Sequence, residues 1–125
     1  MFGRTSFLYS KKYFQGGGKM FKLIFFVPEE YKERLKNSLF EKGAGKYKNY
    51  DMCAFEVKGI GQFRALEKSK PFIGSKNRLE KVTEYRVEML CDKANIKEIV
   101  KTLLKEHPYE EPAYEVFMLD SLQNM

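Results

Sequence analysis

His107-Pro108-Tyr109-Glu110-Glu111-Pro112-Ala113-Tyr114 is the stretch that decides the architecture of this chain. Pro108 drives the residue before it out of helical backbone, so a helix running into His107 must stop there. Pro112 has no N–H to give a sheet ladder, so the strand it opens, Ala113–Leu119, is expected at a sheet edge. Upstream, Ile96, Ile99, Val100, Leu103 and Leu104 recur at helical spacing, with Asp92 before them as a cap. The stretch therefore joins an amphipathic helix to a closing strand. It also sets an imidazole beside two carboxylates, and His107 is the only histidine in the sequence.

Working back towards the N-terminus, Phe21 to Val27 is an apolar run broken only by Lys22, as a central strand buried on both faces requires. Pro28 suits the first turn of a helix, and Glu29 and Glu30 suit its positive end. Tyr31, Leu35 and Leu39 make one apolar stripe, and Gly43 supplies the left-handed stop. Tyr50 to Lys58 alternates, with Cys53, Phe55 and Val57 on one face. Val82 to Leu90 alternates with Tyr85, Val87 and Met89 on one face. Both read as strands with one solvated side.

The order is βαββαβ. It predicts an α+β, ferredoxin-like sandwich of the PII/CutA-like kind: a four-stranded antiparallel sheet with two helices on one face. The second and third strands then pair directly. Matching parity sets Phe55 opposite Met89 and Val57 opposite Val87, which places Cys53 opposite Cys91. That pair reads either as two small buried residues side by side or as a metal or redox pair.

At 125 residues the chain suits one domain, whose folding buries roughly 65% of the unfolded surface. No apolar run approaches the roughly 20 residues that span a bilayer, so no membrane partner is expected. The net charge of +6 invites a nucleic-acid reading until it is located. Residues 1–20 hold Arg4, Lys11, Lys12 and Lys19 and no acid, which leaves 19 basic and 17 acidic residues in 21–125. The folded part is nearly balanced. Two cysteines with no C-x-x-C spacing point to free thiols in a reducing compartment, with the cytoplasm as the default.

Residues 1–19 read as a disordered N-terminal extension, 20–119 as a single domain and 120–125 as a C-terminal tail. The first segment shows no sustained period, and Gly16-Gly17-Gly18 breaks it before Met20. Gly codons begin GG and Lys is AAA or AAG. Gln15-Gly16-Gly17-Gly18-Lys19 is therefore consistent with a translated purine-rich ribosome-binding site and a true start at Met20. Its Arg and Ser content without acids leaves a transit peptide as the alternative.

Gly59 to Leu79 is long for a hairpin connection and holds Gly59, Gly61, Pro71 and Gly74. Arg64, Lys68, Lys70, Lys76 and Arg78 against Glu67 give it a net of +4, the concentrated positive charge of the chain.

Across 21–119 the chain resembles the small inserted domain of the YqfO, or NIF-three-like, family, and free-standing proteins built from that domain. The matching segments are Phe25-Phe26-Val27-Pro28-Glu29, Gly43-Ala44-Gly45, Asn49-Tyr50-Asp51, Gly59-Ile60-Gly61-Gln62-Phe63-Arg64, Pro71-Phe72-Ile73-Gly74, Glu84-Tyr85-Arg86-Val87-Glu88 and the His107–Tyr114 stretch. More distantly it is similar to CutA and to nitrogen-regulatory PII proteins. CutA has a similar His-Pro-Tyr-acid-x-Pro turn before its last strand. The resemblance implies a ferredoxin-like fold assembled as a homotrimer through its sheet edges. Full-length YqfO-like proteins carry a dinuclear metal centre, and some are classed as GTP cyclohydrolases, but those metal ligands lie in flanking segments. Ala65 departs from the family pattern, which has proline there.

Two constellations carry candidate chemistry. His107 with Glu110 and Glu111 offers imidazole and carboxylate ligands to a divalent metal ion, the one candidate cofactor. The alternative is a structural histidine at a helix end. Gly59, Gly61, Gln62, Phe63 and Arg64 offer an anion cradle, with backbone N–H groups and a guanidinium fork for a small anionic ligand. The alternative is a hairpin extension that packs between subunits. No nucleophile with a partnered base is visible, so no catalytic residue is assigned. An RNA-binding reading of the sheet needs a basic aromatic third strand, whereas Glu84-Tyr85-Arg86-Val87-Glu88 puts carboxylates there. The leading expectation is a non-enzymatic trimeric module that binds an anion or divalent metal between subunits. The alternative is an accessory lid docking on a separate metal-dependent hydrolase of the same family.

Overall fold

The computed structural model describes residues 5–8 and 20–120. In chain order the elements are β1 (Thr5–Leu8), β2 (Met20–Val27), α1 (Glu29–Glu41), β3 (Phe55–Arg64), β4 (Leu79–Asp92), α2 (Ile96–Glu106) and β5 (Tyr114–Met118). The apolar run of β2 becomes the central strand, antiparallel to both β4 and β5. Its alternate residues Phe21, Leu23, Phe25 and Val27 are buried against one core. Val87, Met89, Cys91 and Val116 join from the neighbouring strands, and Leu35, Leu39, Ile96, Ile99 and Leu103 from the helices. The ferredoxin-like α+β expectation is met: four antiparallel strands in one sheet and two helices.

Helix α1 starts after Pro28, whose backbone is extended, with Glu29 and Glu30 in the first turn. It ends at Glu41, and the chain turns away at Gly43, with φ +104, after which Ala44 N–H reaches back to Leu39 O at 3.0 Å. A Cβ at Gly43 would lie 2.6 Å from Asn95 Nδ2, so both backbone conformation and space demand glycine there. Helix α2 stops at His107, whose N–H still donates to Leu103 O, as Pro108 requires. Asp92 caps a turn before α2: its Oδ1 accepts from Ala94 N–H, and Asn95 is the residue preceding the helix.

Three expectations are corrected. The β3–β4 register is slipped by one residue: Phe55 faces Glu88 and Val57 faces Arg86. The core side of β3 is the side of Glu56, whose carboxylate binds Lys32 and Lys36 of α1 at 2.5 and 2.8 Å. A one-residue slip exchanges every side chain between faces, so Phe55 and Val57 point to solvent. Cys53 lies before the strand and donates its N–H to Gly45 O, and Gly45 N–H in turn donates to Leu90 O. Gly45 thus stands between Cys53 and β4, and Cys53 is not the cross-strand partner of Cys91. Burial pushes the Cys91 thiol up to about 12, an inert thiol.

The second correction is the long loop. The β3–β4 ladder continues through Gly59–Arg64 and Leu79–Glu84, leaving 65–78 as the connection. β2 pairs with β4 only from Tyr85 to Asp92, so the outer part of the hairpin projects from the sheet as a two-stranded arm.

Third, β5 is not a bare rim, because β1 pairs with it in parallel, Thr5 opposite Tyr114 to Leu8 opposite Phe117. Pro112 lies outside β5 and removes nothing from its ladder. The sheet order is β1-β5-β2-β4-β3, with β3 at the other edge. The rest of the expected 1–19 extension, and positions 121–125 of the expected tail, lie outside the described residues.

Candidate functional site

The stretch 107–112 crosses the end of the sheet where β2 gives way to α1. His107 is 6% exposed and ties three elements together. Its Nδ1 accepts from the Tyr109 N–H at 3.1 Å, which fixes the tautomer. Nε2 therefore carries the proton and donates to Phe26 O of β2 at 2.6 Å. Burial lowers its pKa to about 4, against the favourable Phe26 hydrogen bond, so the ring is neutral near pH 7. Tyr109 is buried beside it, ring centroids 4.8 Å apart, and its hydroxyl donates to Glu84 Oε2 at 3.3 Å. Burial raises both groups, Glu84 against the hydrogen bond from Tyr109, and Tyr109 further through the Glu84 charge.

The imidazole has both nitrogens bonded within the protein, and Glu110 Oε1 accepts from Lys70 N–H at 2.9 Å. Among the described residues no three His, Cys, Asp or Glu side chains gather in a way that holds a metal ion. The expected His107–Glu110–Glu111 metal constellation therefore does not converge. The physical reason is the Phe26 carbonyl, 81 residues away in sequence, which takes the nitrogen a metal would need.

What the fold does bring together is the 65–78 connection and the 109–111 turn. Phe72 packs edge-on to Tyr31 at 5.7 Å and tilts against Tyr109 at 6.0 Å, so the connection folds back onto the body. Between them lies a cleft of about 270 Å³. Arg64 and Ser69 stand on one side, Glu110 and Glu111 on the other, with Tyr109 and Phe72 as aromatic walls. Ser69 closes a local turn through its hydroxyl to Leu66 O at 2.6 Å. Asn77 holds the neck of the connection, its N–H on Ala65 O at 2.5 Å and its amide on Glu67 Oε1. Ala65 is itself buried there, so the position that departs from proline is held by the Asn77 bond.

The expected anion residues divide accordingly. Phe63 and Arg64 line this cleft, and Arg64 makes no ion pair with another described residue. Gly59, Gly61 and Gln62 instead line a second cavity of about 470 Å³ with Phe26, Glu84 and Arg86. A glycine loop cradling one anion is thus replaced by a strand that splits its residues between two cavities. Sequence reading missed Tyr109, Phe72 and Glu84 as site-formers. Tyr109 and Phe72 lay inside segments already singled out. Nothing in the strand around Glu84 marks that acid as buried.

The fold is that of a CutA-like ferredoxin-like domain. The periplasmic divalent cation tolerance protein CutA from Archaeoglobus fulgidus superposes with a TM-score of 0.59 at 16% identity, covering 82% of this chain and 85% of that one. The sequence is more specific. A Bacillus subtilis protein named GTP cyclohydrolase 1 type 2 homolog is 41% identical over 99 residues, 79% of this chain and 26% of that protein. The solved Bacillus cereus protein related to NIF3 matches with a TM-score of 0.71 at 34% identity over 83% of this chain and 26% of that one. No protein-family model matches. The chain is a homologue of one segment of the NIF-three-like (YqfO) family. It spans about a quarter of the length of the curated relatives it matches.

Among the described residues, no helix is long and apolar enough to cross a membrane.

Proposed function

We propose that this chain is a non-catalytic, self-associating CutA/PII-like module, a homotrimer that takes a small anionic ligand in the Arg64–Glu111 cleft at subunit borders. One observation carries the reading: β3 is a ten-residue edge strand whose Phe55 is 64% and Ile60 77% exposed. A long edge strand with exposed apolar side chains is an association surface, since among the described residues nothing pairs its outer N–H and C=O groups. A divalent metal is disfavoured because both nitrogens of His107 are committed, and Arg64, which lines the cleft with Glu110 and Glu111, is the candidate anion-binding group. Multi-angle light scattering tests the assembly: a trimer mass at micromolar concentration is expected, and a stable monomer there overturns the reading. A thermal-shift screen of inorganic phosphate, nucleotides and zinc tests the ligand. A phosphate or nucleotide shift lost in Arg64→Ala is expected, and a zinc-only shift lost in His107→Ala would restore the metal site.

The match to about a quarter of each relative favours a second reading, an accessory lid for a metal-dependent, GTP cyclohydrolase-like hydrolase of the same family. Co-purification from a native source separates the two. The lid reading requires such a hydrolase in stoichiometric amount, whereas the module requires self-association alone.

A further inference from the structure

β4 changes its support at one residue. The β2 ladder runs along it from Asp92 to Tyr85, and the β3 ladder continues to Leu79. Glu84 is therefore the first β4 residue held by β3 alone, at the root of the arm. It is 3% exposed, a carboxylate buried where the sheet narrows to two strands. Opposite it stands Gly59, which offers it no side-chain partner and weakens the strand it sits in.

The groups that face Glu84 do little to hold a charge there. Among the described residues its one hydrogen-bond partner is the Tyr109 hydroxyl, at 3.3 Å. Lys58, Arg86 and Glu88 line the same cavity, but Arg86 is paired with Glu88 at 3.2 Å and Lys58 makes no bond to Glu84. β2 contributes Phe26, which carries no charge. Behind Tyr109 lies the neutral ring of His107. Burial raises the Glu84 pKa above its ordinary 4.5, and the Tyr109 hydrogen bond and the charge of the amino terminus oppose the rise without cancelling it. The Tyr109 hydroxyl is also the side-chain tie between the arm root and the 107–112 turn. Phe63 and Arg64, further along the arm, form one wall of the cleft, and Glu110 and Glu111 on that turn form the other.

We propose that Glu84 is a proton-controlled hinge, whose ionisation loosens the arm at its root and parts the Arg64 wall of the cleft from the Glu110–Glu111 wall. The protonated acid puts no charge in the buried site. Loss of the proton to solvent leaves a carboxylate there with one hydroxyl donor, and water reaches it when the arm frays at Gly59 and Glu84. The closed arm binds the proton more tightly than the open one. Closure is therefore fullest at low pH and is lost as pH rises through the folded value. The hinge requires neither a ligand in the cleft nor a second copy of the chain, so it stands or falls apart from the self-association reading.

The test is hydrogen exchange of the full chain from about pH 5 to about pH 8, corrected for intrinsic rates. Arm peptides covering 59–64 and 79–84 are compared with body peptides covering 20–27 and 85–92. Arm protection is expected to fall with pH by up to about tenfold per unit relative to the body, levelling above the folded Glu84 value. Glu84→Gln, neutral throughout, is expected to remove that slope. Tyr109→Phe, which deletes the donor that favours the charged form, is expected to move it to higher pH, and serves if the glutamine variant does not fold. A carbon-13 titration of the Glu84 carboxyl should place its midpoint where the exchange profile levels. Arm and body profiles that run parallel in the wild type, or an unchanged slope in Glu84→Gln, would overturn the hinge. So would a slope that disappears on dilution, which would assign the response to assembly.

Discussion

The body of the sheet and the arm that projects from it are built from the same β4 strand on opposite terms. From Tyr85 to Asp92, β4 has β2 on one side, helices above, and side chains such as Val87 and Cys91 with no exposure. From Leu79 to Glu84 its ladder partner is β3 alone, and Leu79 and Ile60 stand in solvent. In the body, apolar surface is satisfied within the chain. In the arm it is not, and two-stranded ribbons are marginal in water by themselves. The lesson is that one hairpin holds a buried length and an exposed length, and the effects of substitutions on folding should sort by position along it.

The strongest way to break that division is Leu103→Ala, in the fully buried face of α2. It should cost about 2–5 kcal/mol, read as a lowered urea midpoint. A loss well below 1 kcal/mol would mean that the body is not the stable half.

Next comes pH. His107 binds its proton more weakly folded, near pKa 4, than unfolded, near 6.5. Between those values the unfolded chain holds more protons, so stability rises with pH across the window and falls on acidification. The full effect is about 3 kcal/mol, and His107→Gln should flatten it. Glu84 acts with the opposite sign. Burial raises its pKa, so its contribution is present at low pH and fades as pH rises through the folded value. Measuring the ramp in Glu84→Gln therefore gives a steeper His107 slope than in the wild type.

Glu56→Gln removes the ion pairs to Lys32 and Lys36 that fasten β3 to α1. These groups are only partly shielded, so a loss of about 0.5–1 kcal/mol is expected, shrinking at high salt in chemical-denaturation curves.

The smallest effect on folding is expected at Ile60→Ser. It should stay within about 0.5 kcal/mol of wild type in urea, because the side chain has little to lose within the chain. Its effect belongs to assembly, where light scattering should show dissociation at higher concentration than for wild type. Equal dissociation would show that the arm is a passive extension.

Much of this division was legible from the residues, and the failures cluster on the arm. The β2 run, the α2 stripe and the Pro108 stop gave elements close to those found, because burial by the chain's own core enforces periodicity. The alternation of Phe55 and Val57 was equally clear and misled, because apolar residues on that strand face outward and Glu56 faces the helix. Alternation reports two faces and does not say which of them the chain's own core covers. The extension of the ladder past Gly59 was hidden by glycines that resemble a loop. The bonding of His107 was hidden for another reason: only the folded chain brings Phe26 O to it, and proximity along the sequence cannot reveal a competing acceptor. Thr5–Leu8 pairs with β5 on a segment with no readable period.

The sequence contains no tryptophan, and Phe72 holds the returning connection against the rings of Tyr31 and Tyr109 while half-exposed. An indole placed there would be the molecule's sole long-wavelength emitter. Excitation passed on from the two phenols would dim whenever the connection lifted away, so a single colour channel would follow opening and closing of the cleft in real time.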